Sequence, residues 1–432
     1  MPGSIPGSPT TFTAEQLPQS TDPGFHLAIL SRKHRLASSH FQDQQMPHLI
    51  TSLSHCDLSP TSFRRDLLPG LIAEPEDVEK NYDTTTLWYD AFWRAGRLFL
   101  IAPTPLNLDI LFSRKHIFVD GRPASRIKRK IRDRHAIYSM PAKTKPRNVS
   151  LHINDQIISC AVNSTQEAEL FDGKNACLLI SKDNNLDWIS DYVSYHKNVH
   201  GLQSVLFFDN GSTQYSLQDV SETIAKTGVE NSLVIDVPFP FGVRNGRKID
   251  GKKNFRGKFL QVTILNLGRL RFLHNARAVL NSDIDELIWT SDGRSIFDHA
   301  VDHWSGISRF SGTWRHIASS TENANRQVRH ADHLYAQVPE ASCVGKYCVR
   351  PKSITGRQNW HVHTIGHKSR FLKKLGNDRE AGFWHFRHIS TSWKYDRNTP
   401  LNIAKQRDRV MEKMLIDGGI LPQTKRAVCD EA

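Results

Sequence analysis

Three groups of polar residues each follow an apolar run and could together bind a charged ligand. They are Lys182-Asp183-Asn184-Asn185, Asp209-Asn210-Gly211-Ser212-Thr213 and Asp283-Ile284-Asp285-Glu286. In an extended strand Asp283 and Asp285 point to the same side, so two carboxylate oxygens can approach one Mg²⁺ or Mn²⁺. Such an ion can also hold a diphosphate and polarise its departing oxygen. The alternative for this acidic pair is a solvated turn or a helix N-cap.

The middle group contains a glycine that permits a tight turn. Gly211 allows a positive φ, and the Asp209 carboxylate can accept hydrogen bonds from ribose hydroxyls or from a base N–H. The alternative is a plain β-turn in which Ser216 also caps the next helix. We favour ligand binding because all three groups follow a strand-like apolar run.

Apolar runs typical of buried strands alternate with segments of helical spacing from residue 176 onward. We expect strands at 176–180, 204–208, 233–237 and 276–280, and helices at 186–195, 216–226 and 258–272. This order predicts an α/β domain with a mostly parallel, Rossmann-like sheet covered by helices on both faces. Ligands of such sheets bind at the carboxyl ends of the strands.

A shorter β-rich region precedes this domain. Between residues 87 and 162 strand-like segments are separated by turns such as Asp120-Gly121 and Asn154-Asp155. The pattern predicts a small antiparallel β domain. Within it, residues 126–134 concentrate positive charge, which could guard an edge strand or contact an anionic lipid or polymer.

The length of 432 residues favours more than one domain. We expect a flexible or poorly defined N-terminal region at 1–83 and a β-rich accessory domain at 84–170. The α/β domain is expected at 171–400, followed by a C-terminal helix and tail at 401–432.

The composition narrows the class of partner and the compartment. The chain has 57 Lys plus Arg against 44 Asp plus Glu, a formal net charge of +13, which favours nucleic acid, an anionic lipid surface or a phosphorylated substrate. No apolar run approaches the roughly 18 residues of a membrane-spanning helix. The first residues lack the apolar core of a signal peptide, and six cysteines are too sparse for a disulfide scaffold. We therefore expect a cytoplasmic protein and, as a further hypothesis, peripheral contact with an anionic membrane.

The order of the motifs resembles that of GT-A glycosyltransferases. Besides the three polar groups, the resemblance rests on a Trp-Ile-x-x-Tyr-x-x-Tyr-His helix at 188–196 and on four C-terminal motifs. These motifs are Lys346-Tyr-Cys-Val-Arg-Pro-Lys352, Val362-His363, Trp384-His385-Phe-Arg387 and Ser392-Trp-Lys-Tyr-Asp-Arg397. More narrowly, residues 175–397 are similar to the family 92 glycosyltransferases and to related enzymes of the family 2 type.

The resemblance implies a GT-A fold and transfer of a sugar from a nucleotide donor, expected to be a UDP-sugar. The acceptor would be a hydroxyl of a glycan, a lipid-linked glycan or a polysaccharide. Lys182 and Asp209 would lie in the nucleotide pocket. Asp283 and Asp285 would hold Mn²⁺ or Mg²⁺, with His363 as a further ligand.

The remaining expected roles concern the diphosphate and the catalytic base. His385 and Arg387 would contact the diphosphate. An inverting transfer, which we expect, needs a carboxylate to deprotonate the acceptor hydroxyl. Glu286 is the first candidate because it follows the acidic pair directly, although strand alternation would turn it to the other face unless the strand has already ended there. The other candidates for the base are Asp298, Asp302 and Glu322.

Two other functions fit parts of the sequence. A basic nucleic-acid-binding protein would use its positive charge to track phosphates. We expect no nucleic-acid partner, because the Lys and Arg residues are spread along the chain and no recognition-helix, zinc-finger or aromatic-basic RNA motif occurs. A nucleotidyltransferase could use the same acidic pair, but no glycine-rich phosphate loop of the usual kind precedes the first helix of the α/β domain.

Overall fold

The structure is a computed structural model, and it describes only part of the chain. The described residues are 48–71, 73–243, 248–249, 252–253, 258–318, 327–366, 375–391, 397, 401 and 403–422. Most of the expected N-terminal flexible region and the candidate base Glu322 lie outside these residues. Where the chain is described, it forms a mixed α/β protein with more strands than α-helices.

The α-helices are short, and a π-helical turn at Gly268–Phe272 extends one of them. They are α1 (Pro75–Asn81), α2 (Leu186–His200), α3 (Leu217–Lys226), α4 (Phe259–Leu267), α5 (Ile296–Asp302) and α6 (Arg409–Asp417). No helix in this described part is long and apolar enough to cross a membrane.

The strands before the expected α/β domain are β1 (His48–Ser52), β2 (Cys56–Asp57), β3 (Thr86–Trp88), β4 (Asp90–Arg94), β5 (Arg97–Pro103), β6 (Ile117–Val119), β7 (Arg122–Pro123), β8 (Lys128–Ile131), β9 (His135–Pro141), β10 (Asn148–Ile153) and β11 (Gln156–Ala161). The later strands are β12 (Asn175–Ser181), β13 (Ser204–Asp209), β14 (Asn231–Asp236), β15 (Lys248–Ile249), β16 (Lys252–Lys253), β17 (Ala278–Asn281), β18 (Glu286–Thr290), β19 (Ile307–His316), β20 (Tyr335–Gln337), β21 (Ser342–Val349), β22 (Asn377–Phe386) and β23 (Lys405–Arg407).

An eleven-stranded mixed sheet forms the centre of the fold. Its order is β1-β14-β13-β12-β17-β21-β19-β20-β23. Outside this order, β22 also pairs with β19, and β18 pairs with β22. Within this order β14, β13, β12 and β17 pair in parallel, as expected, and β1 adds a further parallel strand at the edge. The expectation of a mostly parallel sheet is wrong for the other half, because β17, β21, β19, β20 and β23 pair in antiparallel fashion.

The inner parallel strands β14, β13, β12 and β17 are mostly buried, as expected for apolar strands covered on both faces, whereas the edge strand β1 leaves Leu49 and Ile50 exposed. In β13 all six residues, Ser-Val-Leu-Phe-Phe-Asp, are buried. One apolar layer joins the sheet to α2, α3 and α6, and a second joins it to α4. Asn185 caps α2 by accepting a hydrogen bond from the backbone N–H of Asp187. Gly201 ends this helix in the left-handed conformation.

Two four-stranded antiparallel sheets occupy the β-rich region, with the orders β4-β5-β9-β8 and β11-β10-β6-β7. The first of these sheets shares a core with the central sheet, since Phe92 of β4 and Ile101 of β5 pack in the same apolar layer as α4. The fully buried Arg271 reinforces this junction, with nitrogens 2.9 Å from Asp90 and 3.0 Å from Glu167.

The first described strand belongs to the central sheet. β1 pairs in parallel with β14, from His48 opposite Ser232 to Ser52 opposite Asp236. Residues 48–52, which the sequence places in the N-terminal region at 1–83, therefore form an edge strand of the central sheet. At the other end, α6 lies within the expected C-terminal segment, of which 423–432 fall outside the described residues.

Candidate functional site

A cavity of about 1650 Å³ opens at the carboxyl ends of the parallel strands. Its lining includes residues 181–184 after β12, 210–211 after β13 and 283–286 after β17. These strand ends share one edge of the sheet, where open α/β sheets bind their ligands. Members of all three polar groups predicted from the sequence therefore meet in one cavity.

The acidic turn between β17 and β18 forms the centre of the site. Because β17 ends at Asn281 and β18 begins at Glu286, Asp283 and Asp285 lie in a turn and not in a strand. Strand alternation therefore does not decide which way these side chains point. Glu286 is not turned away from the acidic pair, since its carboxylate accepts a hydrogen bond from the backbone N–H of Asp283 at 2.9 Å.

Two basic side chains contact Asp285. Antiparallel pairing of β18 with β22 places His385 opposite Glu286, and His385 Nε2 lies 3.0 Å from Asp285 Oδ2. A nitrogen of Arg397 lies 2.7 Å from the same oxygen. Burial alone would raise the pKa of Asp285, but His385 and Arg397 outweigh it and hold that pKa well below its usual range.

Lys346 of β21 contacts the other two carboxylates of the turn. Its side chain is buried, with the ammonium nitrogen 2.6 Å from Asp283 Oδ2 and 3.1 Å from Glu286 Oε2. Burial alone would lower the pKa of Lys346, but the two carboxylates raise it above its usual value. Burial raises the pKa of Glu286 to about 7; Lys346 opposes this rise, and Asp283 adds to it.

Asp285, Glu286 and His385 could hold a metal ion. One potential ligand atom from each lies within 4.8 Å of the others. Two carboxylates and an imidazole suit Mn²⁺ better than Mg²⁺, which prefers oxygen ligands. The donor types therefore fit the expected ion, which would compete with Arg397 for Asp285 and with Lys346 for Glu286.

The structure divides the other expected ligand-binding residues between the cavity and a neighbouring turn. Lys182 is exposed and lines the cavity. His363 also lines it, with Nδ1 3.1 Å from the carbonyl oxygen of Gly345, but it lies outside the three-residue metal group. Asp209 is buried and accepts hydrogen bonds from Ser212, 2.7 Å from its backbone nitrogen and 2.6 Å from its hydroxyl. The Asp209 carboxylate thus stabilises the turn, as in the alternative interpretation.

Arg387 and two candidate bases are absent from the described lining of the cavity. The carbonyl of Arg387 accepts a hydrogen bond from Arg397 Nε at 3.1 Å. Asp298 and Asp302 form ion pairs with arginines elsewhere. Among the described candidates for the base, Glu286 is the one that lines the cavity.

Three further residues of the site were not singled out as site residues from the sequence. Lys346 and Arg397 stand in the C-terminal motifs that carry the resemblance, and this was the available signal. Trp314 lies beside His385 because β19 pairs with β22. Their rings stack with centroids 3.9 Å apart, and the Arg397 guanidinium lies 5.1 Å from the Trp314 ring centroid.

No family model matches the sequence, and no curated protein matches it significantly. The residues and geometry of the cavity are therefore the basis for assigning a function.

Proposed function

We propose that this protein is a metal-dependent glycosyltransferase of the GT-A type. It would transfer a sugar from a nucleotide-sugar donor, expected to be a UDP-sugar, to a hydroxyl of a glycan acceptor. One observation carries the proposal: the polar ends of three parallel strands meet an Asp–Glu–His group in one large cavity. This edge is where open α/β sheets bind nucleotides, and the donor group suits an ion that holds a diphosphate.

The side chains of the cavity can be given separate roles in binding the ion, the nucleotide and the diphosphate. Asp285 and His385 would hold the divalent ion, which stabilises charge on a departing diphosphate when bound. Lys182, exposed in the cavity, would contact the nucleotide part of the donor. Arg397 already lies beside Asp285 and would add positive charge near the diphosphate.

Glu286 is assigned as the base that accepts the proton of the acceptor hydroxyl. It lines the cavity and directly follows Asp285, whereas Asp298 and Asp302 lie outside the described lining. Glu286 is also close enough to Asp285 and His385 to act as a ligand instead. Glu286→Gln separates the two roles: a base variant loses turnover and keeps its Mn²⁺ affinity, whereas a ligand variant loses both.

Calorimetric titration of UDP with and without Mn²⁺ tests the proposal. We expect Mn²⁺ to tighten UDP binding, and Asp285→Asn to weaken the Mn²⁺-dependent binding by about tenfold or more. Asp187→Asn is the matched control, because Asp187 is exposed and outside the described cavity lining. Equal UDP affinity with and without Mn²⁺ would contradict metal dependence, and no UDP binding would contradict a UDP-sugar donor.

Product analysis separates this proposal from the nucleotidyltransferase alternative. A glycosyltransferase releases UDP from a UDP-sugar when the acceptor hydroxyl attacks the sugar. A nucleotidyltransferase instead joins a sugar phosphate to the nucleotide part of UTP, and the pyrophosphate it releases comes from UTP. Pyrophosphate release that Asp285→Asn abolishes would favour the second reaction.

A further inference from the structure

Basic side chains gather where the β8–β9 hairpin meets α4. Arg132 and Arg134 lie in the hairpin loop, and His135 begins β9. Lys130 of β8 and Arg269 of the π-helical turn complete this group, which we call the hairpin cluster. The cluster lies at the junction between an accessory sheet and the central fold, beside the candidate site.

The backbone of the hairpin loop is held in place by hydrogen bonds. The Arg132 backbone N–H donates to the carbonyl of His135 at 2.9 Å. The carbonyl oxygens of Arg132 and Arg134 accept hydrogen bonds from the hydroxyls of Thr104 at 2.7 Å and Thr263 at 3.3 Å. The two arginines therefore project from a fixed loop.

Several nitrogens of the hairpin cluster are buried without a hydrogen-bond partner. His135 is 0 % exposed, and neither of its ring nitrogens has a partner. The Nε atoms of Arg132 and Arg269 are also buried and also have no hydrogen-bond partner. Buried polar groups in folded proteins are almost always paired. Since arginine nitrogens only donate, the missing partner for these two side chains is a hydrogen-bond acceptor.

The charges in the hairpin cluster reinforce this conclusion. Burial lowers the pKa of Lys130, and Arg269 and Arg132 lower it further. Burial, His361 and the same two arginines lower the pKa of His135 to about 3. No carboxylate in the described residues forms an ion pair with a member of the cluster. The nearest acid in sequence is Asp133, which only partly opposes the effect of burial on the pKa of Arg134.

The hairpin cluster opens into the candidate site. Arg132, Arg134 and His361 line the same cavity as the acidic turn. The rings of His135 and His361 have centroids 6.4 Å apart, which connects the buried part of the cluster to the cavity wall. A molecule bound in the cavity can therefore reach the cluster and the acidic turn together.

We propose that the hairpin cluster is a subsite for one anionic group of the acceptor, a carboxylate, sulfate ester or phosphate ester, contacted by Arg132 and Arg134. This inference rests on the proposed function and names its acceptor as an acidic glycan. Guanidinium groups suit it because their planar donors match such anions in pairs. The diphosphate of the donor is another source of the same chemistry, and the experiment distinguishes the two.

Ligand-observed NMR titrations of the full chain with inorganic phosphate, D-glucuronate and D-glucose test the proposal. Each titration is carried out with and without saturating UDP and Mn²⁺. We expect the two anions to bind, and D-glucose to bind more weakly, whether or not UDP is present. Arg132→Gln and Arg134→Gln are each expected to weaken anion binding by about tenfold and to leave UDP affinity within about twofold.

Arg129→Gln is the matched control. Arg129 precedes the loop on β8 and is already paired with Asp109 at 3.2 Å. The proposal is overturned if neither anion binds, if UDP displaces both anions, or if Arg129→Gln weakens binding as much as Arg132→Gln. If the anions bind as expected while UDP does not bind at all, the glycosyltransferase proposal fails. The anion site would then stand, but its ligand could no longer be assigned as a glycosyl acceptor. Circular dichroism of each variant shows whether it has folded.

Discussion

The ammonium nitrogen of Lys346 lies 2.6 Å from a carboxylate oxygen of Asp283, although 63 positions separate the two residues in the chain. The same nitrogen lies 3.1 Å from Glu286, and the side chains of Lys346 and Glu286 are both almost fully buried. One buried cation therefore lies between two carboxylates of the site.

Replacing Lys346 with Met is expected to lower the free energy of unfolding by about 3–5 kcal/mol. The reason is that the buried Glu286 would lose its counter-charge and would have to remain an unpaired carboxylate or take up a proton. Urea denaturation near neutral pH measures the change. Lys182→Met is the matched control, because Lys182 is exposed in the same cavity, and it should change stability by no more than about 0.5 kcal/mol. Adding Glu286→Gln to Lys346→Met should recover part of the loss; no recovery would show that packing, not charge, causes it.

Stability is expected to fall as the pH rises through the pKa of His299. Burial lowers this pKa, but Asp378 and Asp292 outweigh burial and raise it above its usual value. The His299 ring nitrogens lie 2.7 Å from Asp378 and 3.1 Å from Asp292. When folding raises the pKa of a histidine, the protonated side chain stabilises the folded protein, and this contribution is complete below the unfolded pKa of about 6.5. It is lost as the pH rises above the folded pKa.

Urea denaturation of wild type and His299→Gln between about pH 6 and pH 8 measures the histidine contribution. The free energy of unfolding should decrease more steeply with pH in the wild type than in the variant. Parallel curves would show that His299 does not change its protonation on folding.

Arg397→Gln is expected to tighten Mn²⁺ binding. Its guanidinium nitrogen lies 2.7 Å from Asp285 Oδ2, so it competes with an ion for this carboxylate. Removing one unit charge so close to the site should be worth at least about 1 kcal/mol, or about fivefold in affinity. Electron paramagnetic resonance of free Mn²⁺ measures the affinity. Arg387→Gln is the control, since Arg387 is outside the described lining; unchanged binding in Arg397→Gln would argue against Asp285 as a ligand.

Gly312→Ala is expected to destabilise the protein by about 1–3 kcal/mol through overpacking. A Cβ atom at this position of β19 would lie 2.3 Å from a ring carbon of Phe383. Phe383 is fully buried in the neighbouring strand β22, so its ring has little room to move. Urea denaturation measures the loss. The adjacent exposed Ser311 provides the control variant Ser311→Ala, and equal stability of the two variants would contradict the overpacking argument.

The parallel half of the fold could be predicted because its residues carry a local signal. β12 spans Asn175–Ser181 and β13 spans Ser204–Asp209, each within one residue of the expected strand at either end. Apolar runs followed by helical spacing depend only on neighbouring residues. The other half has no such local pattern: β19 pairs with β21 in antiparallel and with β22 in parallel fashion, both from later in the chain, and its register on β21 shifts between Phe310 and Gly312.

The candidate site was predictable to the same extent. The three polar groups follow strands with a local signal, and their members meet in the cavity. Two partners of the acidic turn, Lys346 and Arg397, were not recognised as site residues, because they reach it through contacts across 63 and 112 positions. The orientation of Asp283 and Asp285 could not be derived from strand geometry, since β17 ends before them.

The order of residues along the chain has a consequence for how the protein folds during synthesis. Asp283 and Asp285 leave the ribosome before Lys346, His385 and Arg397, the basic side chains that contact them or Glu286. Until those residues emerge, the acidic turn lacks these native partners. Because long-range pairings close slowly, the central sheet is expected to mature late, and a nascent chain stopped before residue 346 should remain sensitive to protease.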